Sequence, residues 1–264
     1  MRSLLLLGTD TGVGKTTVGR GLLQLAHQRG LTLVPFKPAE TGCAPEPADA
    51  RDLLQAASFC DCHNADMADP PRHGDLSRVR ALSTEDVCPY RFSDPIAPSA
   101  AARAAGVIID PARIRAAAHR LAAFGDAVLV EGAGGVLSPY GPAFTGASLA
   151  EQLGLDVLLV AANRLGTINH TALAVAELRR RGLPLCGIVL VDVTADGGPD
   201  RADNAREIAE LTGVTPLGVL GFVAAPTPLT LARRVAADLD LRTLFDGRLA
   251  TAREANQSAP PPPP

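Results

Sequence analysis

The chain has no tryptophan, and aromatic residues make up only 3% of its 264 positions. That shortage excludes stacking platforms for bare bases and aromatic sugar-binding surfaces. No sign of charge dominates: 25 lysines and arginines face 28 acidic residues, for a formal net charge of −3. A broad basic footprint for nucleic acid is excluded by that balance. No apolar run approaches the roughly 18 residues of a membrane span, so no membrane partner is expected either. Cysteine is scarce and odd in number, at five, which excludes a disulfide framework closed within one chain. Met1-Arg2-Ser3 leads into only four leucines before Gly8. That run is shorter than a signal-peptide core, and the expectation is a reduced, cytoplasmic protein.

What is abundant is apolar residues, at 47%, together with 25 glycines and 22 prolines. The apolar share is enough for a sizeable core and excludes disorder as the main state. Leu4–Leu7 is a short apolar run stopped by Gly8, as expected of a buried parallel strand. The period then changes: Val18, Leu22, Leu25 and Ala26 fall on one helical face, and Gly30 stops the helix. Further strands are expected at Leu31–Phe36, Ala127–Val130, Val157–Ala161, Leu185–Val191 and Leu217–Leu220. Helices are expected near 49–58, 96–106, 110–124, 167–181 and 201–212. In the 167–181 helix the inward face is expected to carry Ile168, Ala172, Val175 and Ala176. Strands alternating with helices predict an α/β fold, a mostly parallel central sheet with helices on both faces. One domain is expected over residues 1–250, with an irregular insertion at about 59–88 and a disordered proline-rich tail at 251–264. Cys60, Cys62, His63, His73 and Cys88 gather in the insertion, but no second ligand pair completes a zinc pattern.

Gly8-Thr9-Asp10-Thr11-Gly12-Val13-Gly14-Lys15-Thr16 joins the first strand to the first helix. Such a loop aims several backbone N–H groups at one centre, and the helix N-terminus adds partial positive charge. Lys15 would reach the β- and γ-phosphates of a nucleotide, and the Thr16 hydroxyl would bind Mg²⁺. The strict phosphate-loop pattern needs glycine at position 9, where this chain has Thr9. Glu131 ends a strand at the carboxyl edge of the sheet, where α/β proteins bind ligands. An acid beside a phosphate loop calls for a cation between them, and Mg²⁺ takes one or two carboxylates. Asp49 is the second candidate ligand, with Asp52 on nearly the same helical face as the alternative. Gly132, Gly134 and Gly135 permit close backbone approach to a ligand.

Four blocks in order carry a resemblance: Gly8–Thr17, Lys37-Pro38-Ala39-Glu40-Thr41-Gly42, Glu131–Gly135 and Leu165-Gly166-Thr167-Ile168-Asn169-His170. Over residues 1 to about 225 the chain resembles the dethiobiotin synthetases, P-loop enzymes of biotin biosynthesis. The resemblance implies a three-layer P-loop fold and a ligase reaction. CO2 is joined to 7,8-diaminononanoate through a carbamate and a carbamic-phosphoric anhydride, while ATP becomes ADP and phosphate. It implies that Lys15 and Lys37 are catalytic, and that Thr16, Asp49 and Glu131 hold Mg²⁺. Nucleotide contacts are implied for Gly12, Val13, Gly14, Lys15, Thr16, Thr17, Glu131, Gly132, Ala133, Gly134, Asp192, Gly221 and Phe222. Substrate contacts are implied for Thr11, Lys37, Thr41, Gly166, Thr167, Ile168 and Asn169. In the family the last four come from the partner subunit, so a homodimer is implied.

Three departures stand out. Gly12 replaces an acidic residue common in the family loop. Val191-Asp192 stands where the family has Asn-Asp to read adenine, and valine cannot exchange hydrogen bonds with a base edge. Nucleotides other than ATP are therefore expected to serve. Gly221-Phe222-Val223 replaces a Pro-aromatic-Leu segment. Two other readings compete. Cobyrinate-type synthetases share the domain but also need a glutaminase domain. Partitioning and septum-positioning ATPases carry a signature lysine where this chain has Asp10, and aspartate cannot donate to phosphate.

Overall fold

Leu4–Leu7 are wholly buried, and only a central strand hides four consecutive leucines on both faces. In the computed structural model, which describes residues 3–59, 76–198 and 201–245, that strand is β1 (Leu4–Gly8). It is followed by α1 (Lys15–Gln28), β2 (Leu33–Phe36), β3 (Ala39–Thr41) and α2 (Ala48–Ser58). Next come α3 (Ser77–Arg80), α4 (Thr84–Val87), β4 (Tyr90–Phe92), α5 (Pro98–Ala104) and α6 (Pro111–Leu121). The chain continues through β5 (Ala127–Gly135), β6 (Pro139–Gly141), β7 (Phe144–Thr145), α7 (Gly146–Leu153) and β8 (Asp156–Ala162). It closes with α8 (Thr167–Arg180), β9 (Leu185–Val191), α9 (Arg201–Thr212), β10 (Gly218–Leu220), α10 (Pro228–Asp238) and α11 (Arg242–Phe245).

Six strands form one sheet in the order β10-β9-β8-β1-β5-β2, and every pairing in it is parallel. The expected α/β architecture is therefore the observed one. From β1 the chain steps out to β2, and β5 then fills the gap between them. From β5 it crosses to β8 on the other side of β1. The sheet order thus reverses beside β1, so a crevice opens at the carboxyl ends there.

Several expectations need correction. The strand starting at Ala127 does not stop at Val130; it runs on through Gly135. The second strand starts at Leu33, not Leu31. In α8 the buried face is Thr167, Thr171, Ala174, Val175 and Leu178, while Ala176 is exposed. Polar threonines share that inward stripe, which is why an apolar count misplaced it. Of the expected insertion, residues 60–75 lie outside the described residues, Cys60, Cys62, His63 and His73 among them; so does the tail 251–264. Residues 76–88 are not irregular: they fold into α3 and α4 and bury Val79, Val87 and Cys88 in the core. A capping box between Ser83 and Asp86 starts α4.

Helix α10 was not foreseen. Its start is written locally: Thr227 caps the helix, accepting from the Thr230 N–H at 3.1 Å, and Pro228 fills the first turn. It packs on α1, where Gly21 leaves room; a Cβ there would lie 2.5 Å from Val235 Cγ2. Leu231 is wholly buried in α10. Leu231→Ala should lower unfolding free energy by about 2–5 kcal/mol, read by urea denaturation. A change below about 0.5 kcal/mol would show that α10 does not belong to the cooperative core.

Candidate active site

Strand register brings the central charges together. Pairing of β2 with β5 sets Phe36 beside Val130, so the next residues, Lys37 and Glu131, are neighbours at the carboxyl edge. Pairing of β1 with β5 sets Leu6 beside Glu131, just below the loop that leaves β1. The Lys37 ammonium donates to Glu131 Oε1 at 2.5 Å and to Asp49 Oδ2 at 2.7 Å. Lys37 is 3% exposed and Glu131 is 1% exposed, so neither charge is tolerable without the other. Burial works against the Lys37 charge, but Glu131 and Asp49 outweigh it and hold its pKa well above the lysine range. Burial likewise opposes the Asp49 charge, and Lys37 overcomes it to keep that carboxyl below its usual value.

Asp49 is aimed by its helix start. Both Glu40 oxygens accept from backbone N–H groups there, those of Asp49 and Ala50, each at 2.9 Å. Glu40 thus ties β3 to the first turn of α2 and satisfies two of its free N–H groups. Asp49 Oδ1 then accepts from Thr16 Oγ1 at 3.0 Å, and Glu131 Oε1 lies 3.0 Å from the same hydroxyl. Asp52, the other acid considered in the sequence, turns away to Arg20, at 3.6 Å. Thr16, Asp49 and Glu131 form an all-oxygen donor set suited to a hard cation. Glu131 Oε2 is buried and makes no hydrogen bond, so the set has an acceptor to spare for one.

The loop from Gly8 wraps the same centre. Helix α1 begins at Lys15 after Gly14, whose left-handed φ of 95° suits glycine. No acid lies in its first turn, so its N–H groups keep their pull on an anion. The Lys15 ammonium donates to the Asp10 carbonyl at 3.0 Å, and burial lowers its pKa to about 8 against the pull of Glu131. Across from it, the buried Tyr140 hydroxyl accepts the Ala133 N–H at 2.6 Å and pins the glycine-rich end of β5. Gly135 sits so close to the loop that a Cβ would lie 3.2 Å from the Thr9 carbonyl. Its smallness therefore serves backbone packing against the loop.

These groups line a cleft of about 730 Å³. It gathers the expected Thr11, Gly12, Gly14, Lys15, Thr16, Thr17, Lys37, Thr41, Asp49, Glu131, Ala133, Gly134, Asp192, Gly221 and Phe222. Val13 instead turns into the core, and Gly132 packs against Leu7. Gly166, Thr167, Ile168 and Asn169 do not line this cleft; they open α8 after β8, with Leu165 exposed beside them. Glu40 and Tyr140 had no role in the sequence reading, because a cap and a pin depend on partners distant in the chain. Lys37→Met would leave Glu131 buried without its cation and should lower stability by about 3–5 kcal/mol in chemical denaturation. Stability within about 1 kcal/mol of the parent would contradict the ion-pair account.

Comparison with known proteins finds relatives over most of the chain. A family model described as "AAA domain" matches residues 2–228. The ATP-dependent dethiobiotin synthetase of Anaeromyxobacter dehalogenans (strain 2CP-C) is 45% identical over 238 residues, covering 90% of this chain and 95% of that protein. The enzyme of the same description from Pseudomonas aeruginosa (strain UCBPP-PA14) is 35% identical over 250 residues, covering 94% of this chain and 100% of that protein. Among solved structures, a ParA family ATPase from Chlorobium tepidum TLS has a TM-score of 0.48 at 11% identity, covering 93% of this chain and 94% of that one. The identity with the synthetases extends across nearly the whole of both chains, and this chain belongs to the ATP-dependent dethiobiotin synthetase family.

Proposed function

We propose that this chain closes the ureido ring of dethiobiotin on 7,8-diaminononanoate, taking carbon from CO2 and energy from ATP. The observation that carries the reading is the meeting of Lys15, Lys37, Thr16, Asp49 and Glu131 in one cleft at the mouth of the phosphate loop. A binding switch needs the loop; ring closure also needs a second buried cation where charge develops on an attacking carbamate.

One substrate amine adds to CO2 and releases a proton, leaving a carbamate. A carbamate oxygen attacks the γ-phosphorus, and the bond to the bridging oxygen of ADP breaks. The second amine attacks the carbonyl carbon of the anhydride and expels phosphate, closing the ring. Lys37 leaves its two carboxylates to donate to the carbamate and the γ-phosphate oxygens. Lys15 exchanges the Asp10 carbonyl for phosphate oxygens, which favour its charged form. The N–H groups of Gly12–Thr17 hold the phosphate chain in line. Thr11 and Thr41 orient the amine end of the substrate.

Thr16, Asp49 and Glu131 would hold Mg²⁺, and the cation that already sits between the two acids is an observation in favour. When bound, the metal neutralises the phosphate oxygens. The helix start at Gly166–Asn169 suits the substrate carboxylate, with the Thr167 N–H already donating to the Arg164 carbonyl at 3.1 Å. In this reading these residues reach the cleft from a second copy of the chain, so the working enzyme is a homodimer. A cytoplasmic setting suits the thiols of Cys43, Cys88 and Cys186, which are unpaired among the described residues. No helix among those residues is long and apolar enough to cross a membrane.

Mixing the protein with diaminononanoate, bicarbonate and MgATP should release phosphate only when all are present. Release that ignores the diamine would defeat the synthetase reading. Lys15→Met should lower kcat by about 10²- to 10³-fold, as loss of one oxyanion-stabilising donor does elsewhere. Turnover near that of the parent would remove Lys15 from the chemistry.

A further inference from the structure

Beyond the end of β5 the chain folds back and fixes one hydroxyl at the wall of the cleft. Ser138 Oγ accepts the Gly135 N–H at 2.7 Å. The Ser138 N–H donates to the Gly135 carbonyl at 3.0 Å, and the Ser138 carbonyl accepts the Gly146 N–H at 3.2 Å. Two residues on, Tyr140 holds the Ala133 N–H of the same segment. The backbone donor, the backbone acceptor and one side-chain lone pair of Ser138 are therefore engaged within the protein. A serine oxygen accepts and donates at once, so the hydroxyl keeps a proton to give. Ser138 lines the cleft, and a group bound there can take that hydrogen bond.

Gly134 sets what surrounds this donor. Its φ of 65° is left-handed, and a Cβ there would collide with Ser138 Oγ and lie 3.5 Å from Thr11 Oγ1. Two hydroxyls from distant parts of the chain thus flank one glycine. On its other side the Gly134 carbonyl meets the phosphate loop: a Cβ on Gly8 would lie 2.9 Å from that carbonyl and 2.8 Å from Lys15 Nζ. The wall therefore runs from the Lys15 ammonium across Gly134 to the hydroxyls of Thr11 and Ser138. The two bond-making steps of the reaction call on different donors. Phosphoryl transfer spreads charge over the γ-phosphate, which Lys15, Lys37 and the loop N–H groups face. Ring closure puts charge on a carbonyl oxygen, where a neutral donor fixed in advance is suited.

We propose that Ser138 is a catalytic residue of the ring-closing step, its O–H stabilising the oxyanion of the tetrahedral intermediate. The proposal rests on the synthetase reading of this cleft. The second substrate nitrogen bonds to the carbonyl carbon of the anhydride, and the C=O π pair moves onto the oxygen, which accepts from Ser138. The π bond re-forms as the bond from carbon to the phosphate oxygen breaks with its electron pair. Phosphate departs with the proton shed by the nitrogen, and the ureido ring is closed. Ser138 takes no part in the earlier phosphoryl transfer. Its loss therefore separates the two steps: the anhydride still forms, closes slowly and is lost to water.

Parallel assays of phosphate and dethiobiotin, with diaminononanoate, bicarbonate and MgATP, read that separation. The parent should release one phosphate for each ring closed. Ser138→Ala should slow ring formation by about 10²-fold, the scale of one lost oxyanion donor. Phosphate release should fall much less, so that phosphate outruns dethiobiotin, and calorimetric binding of MgATP should match the parent. Ser138→Thr keeps the O–H and should restore equal yields. Ring formation by Ser138→Ala at the parent rate would overturn the proposal. So would a loss in which phosphate and dethiobiotin fall together, the mark of a site merely distorted. Phosphate release by the parent without the diamine, or no dethiobiotin from it, would instead overturn the synthetase reading and this proposal with it.

Discussion

The contact of Lys37 with Glu131 and Asp49 organises the molecule around it. Two buried charges of opposite sign cost several kcal/mol each to remove from water, and only close pairing offsets that. The pairing requires β2, β5 and the start of α2 to meet within a fraction of an ångström. Parallel register supplies the first condition, because Lys37 and Glu131 each follow residues paired across β2 and β5. The Glu40 clamp on the first turn of α2 supplies the second. Val87, at the end of α4, supplies a third by accepting the Lys37 N–H at 2.8 Å. The stretch before residue 90, which had no role at first sight, thus braces the central cation.

Under the proposed mechanism the same contact gives the site two states. In the free protein Lys37 neutralises the acids. Under the proposed mechanism a divalent cation takes over that duty, and Lys37 is released toward the reacting groups. In that mechanism one cation serves as a structural counter-ion before binding and as a catalyst after it. Lys15 rests on the Asp10 carbonyl, and in the proposed mechanism phosphate oxygens replace that contact. Both lysines are partnered inside the protein, so neither has to shed a full water shell when substrate arrives.

How much was legible beforehand follows from the range of each interaction. The sheet was legible because Leu4–Leu7, Val157–Ala161 and Leu185–Val191 are unbroken apolar runs, and that pattern depends only on burial. The phosphate loop was legible because its glycines, lysine and threonine are contiguous. Glu131 could be read from the change there from apolar residues to glycines, although β5 itself runs on to Gly135. Asp49 could not be separated from Asp52, since the choice depends on the rotation of α2, set by Glu40 from another element. The hydrogen bonds of Asn163 with Asp192 and Asn204 join three segments and were invisible for the same reason. Helix α10 has a locally written Thr227-Pro228 start, but its place depends on packing against α1, which is distant in the chain.

The central claim is that one centre holds a metal and frees a lysine. The most direct measurement is a crystal structure with Mg²⁺ and a non-hydrolysable ATP analogue. The account predicts metal-bound oxygens from Thr16, Asp49 and Glu131, with Lys37 moved from both carboxylates to the terminal phosphate. A structure in which Lys37 keeps both carboxylate contacts while the metal and phosphates lie elsewhere would contradict it.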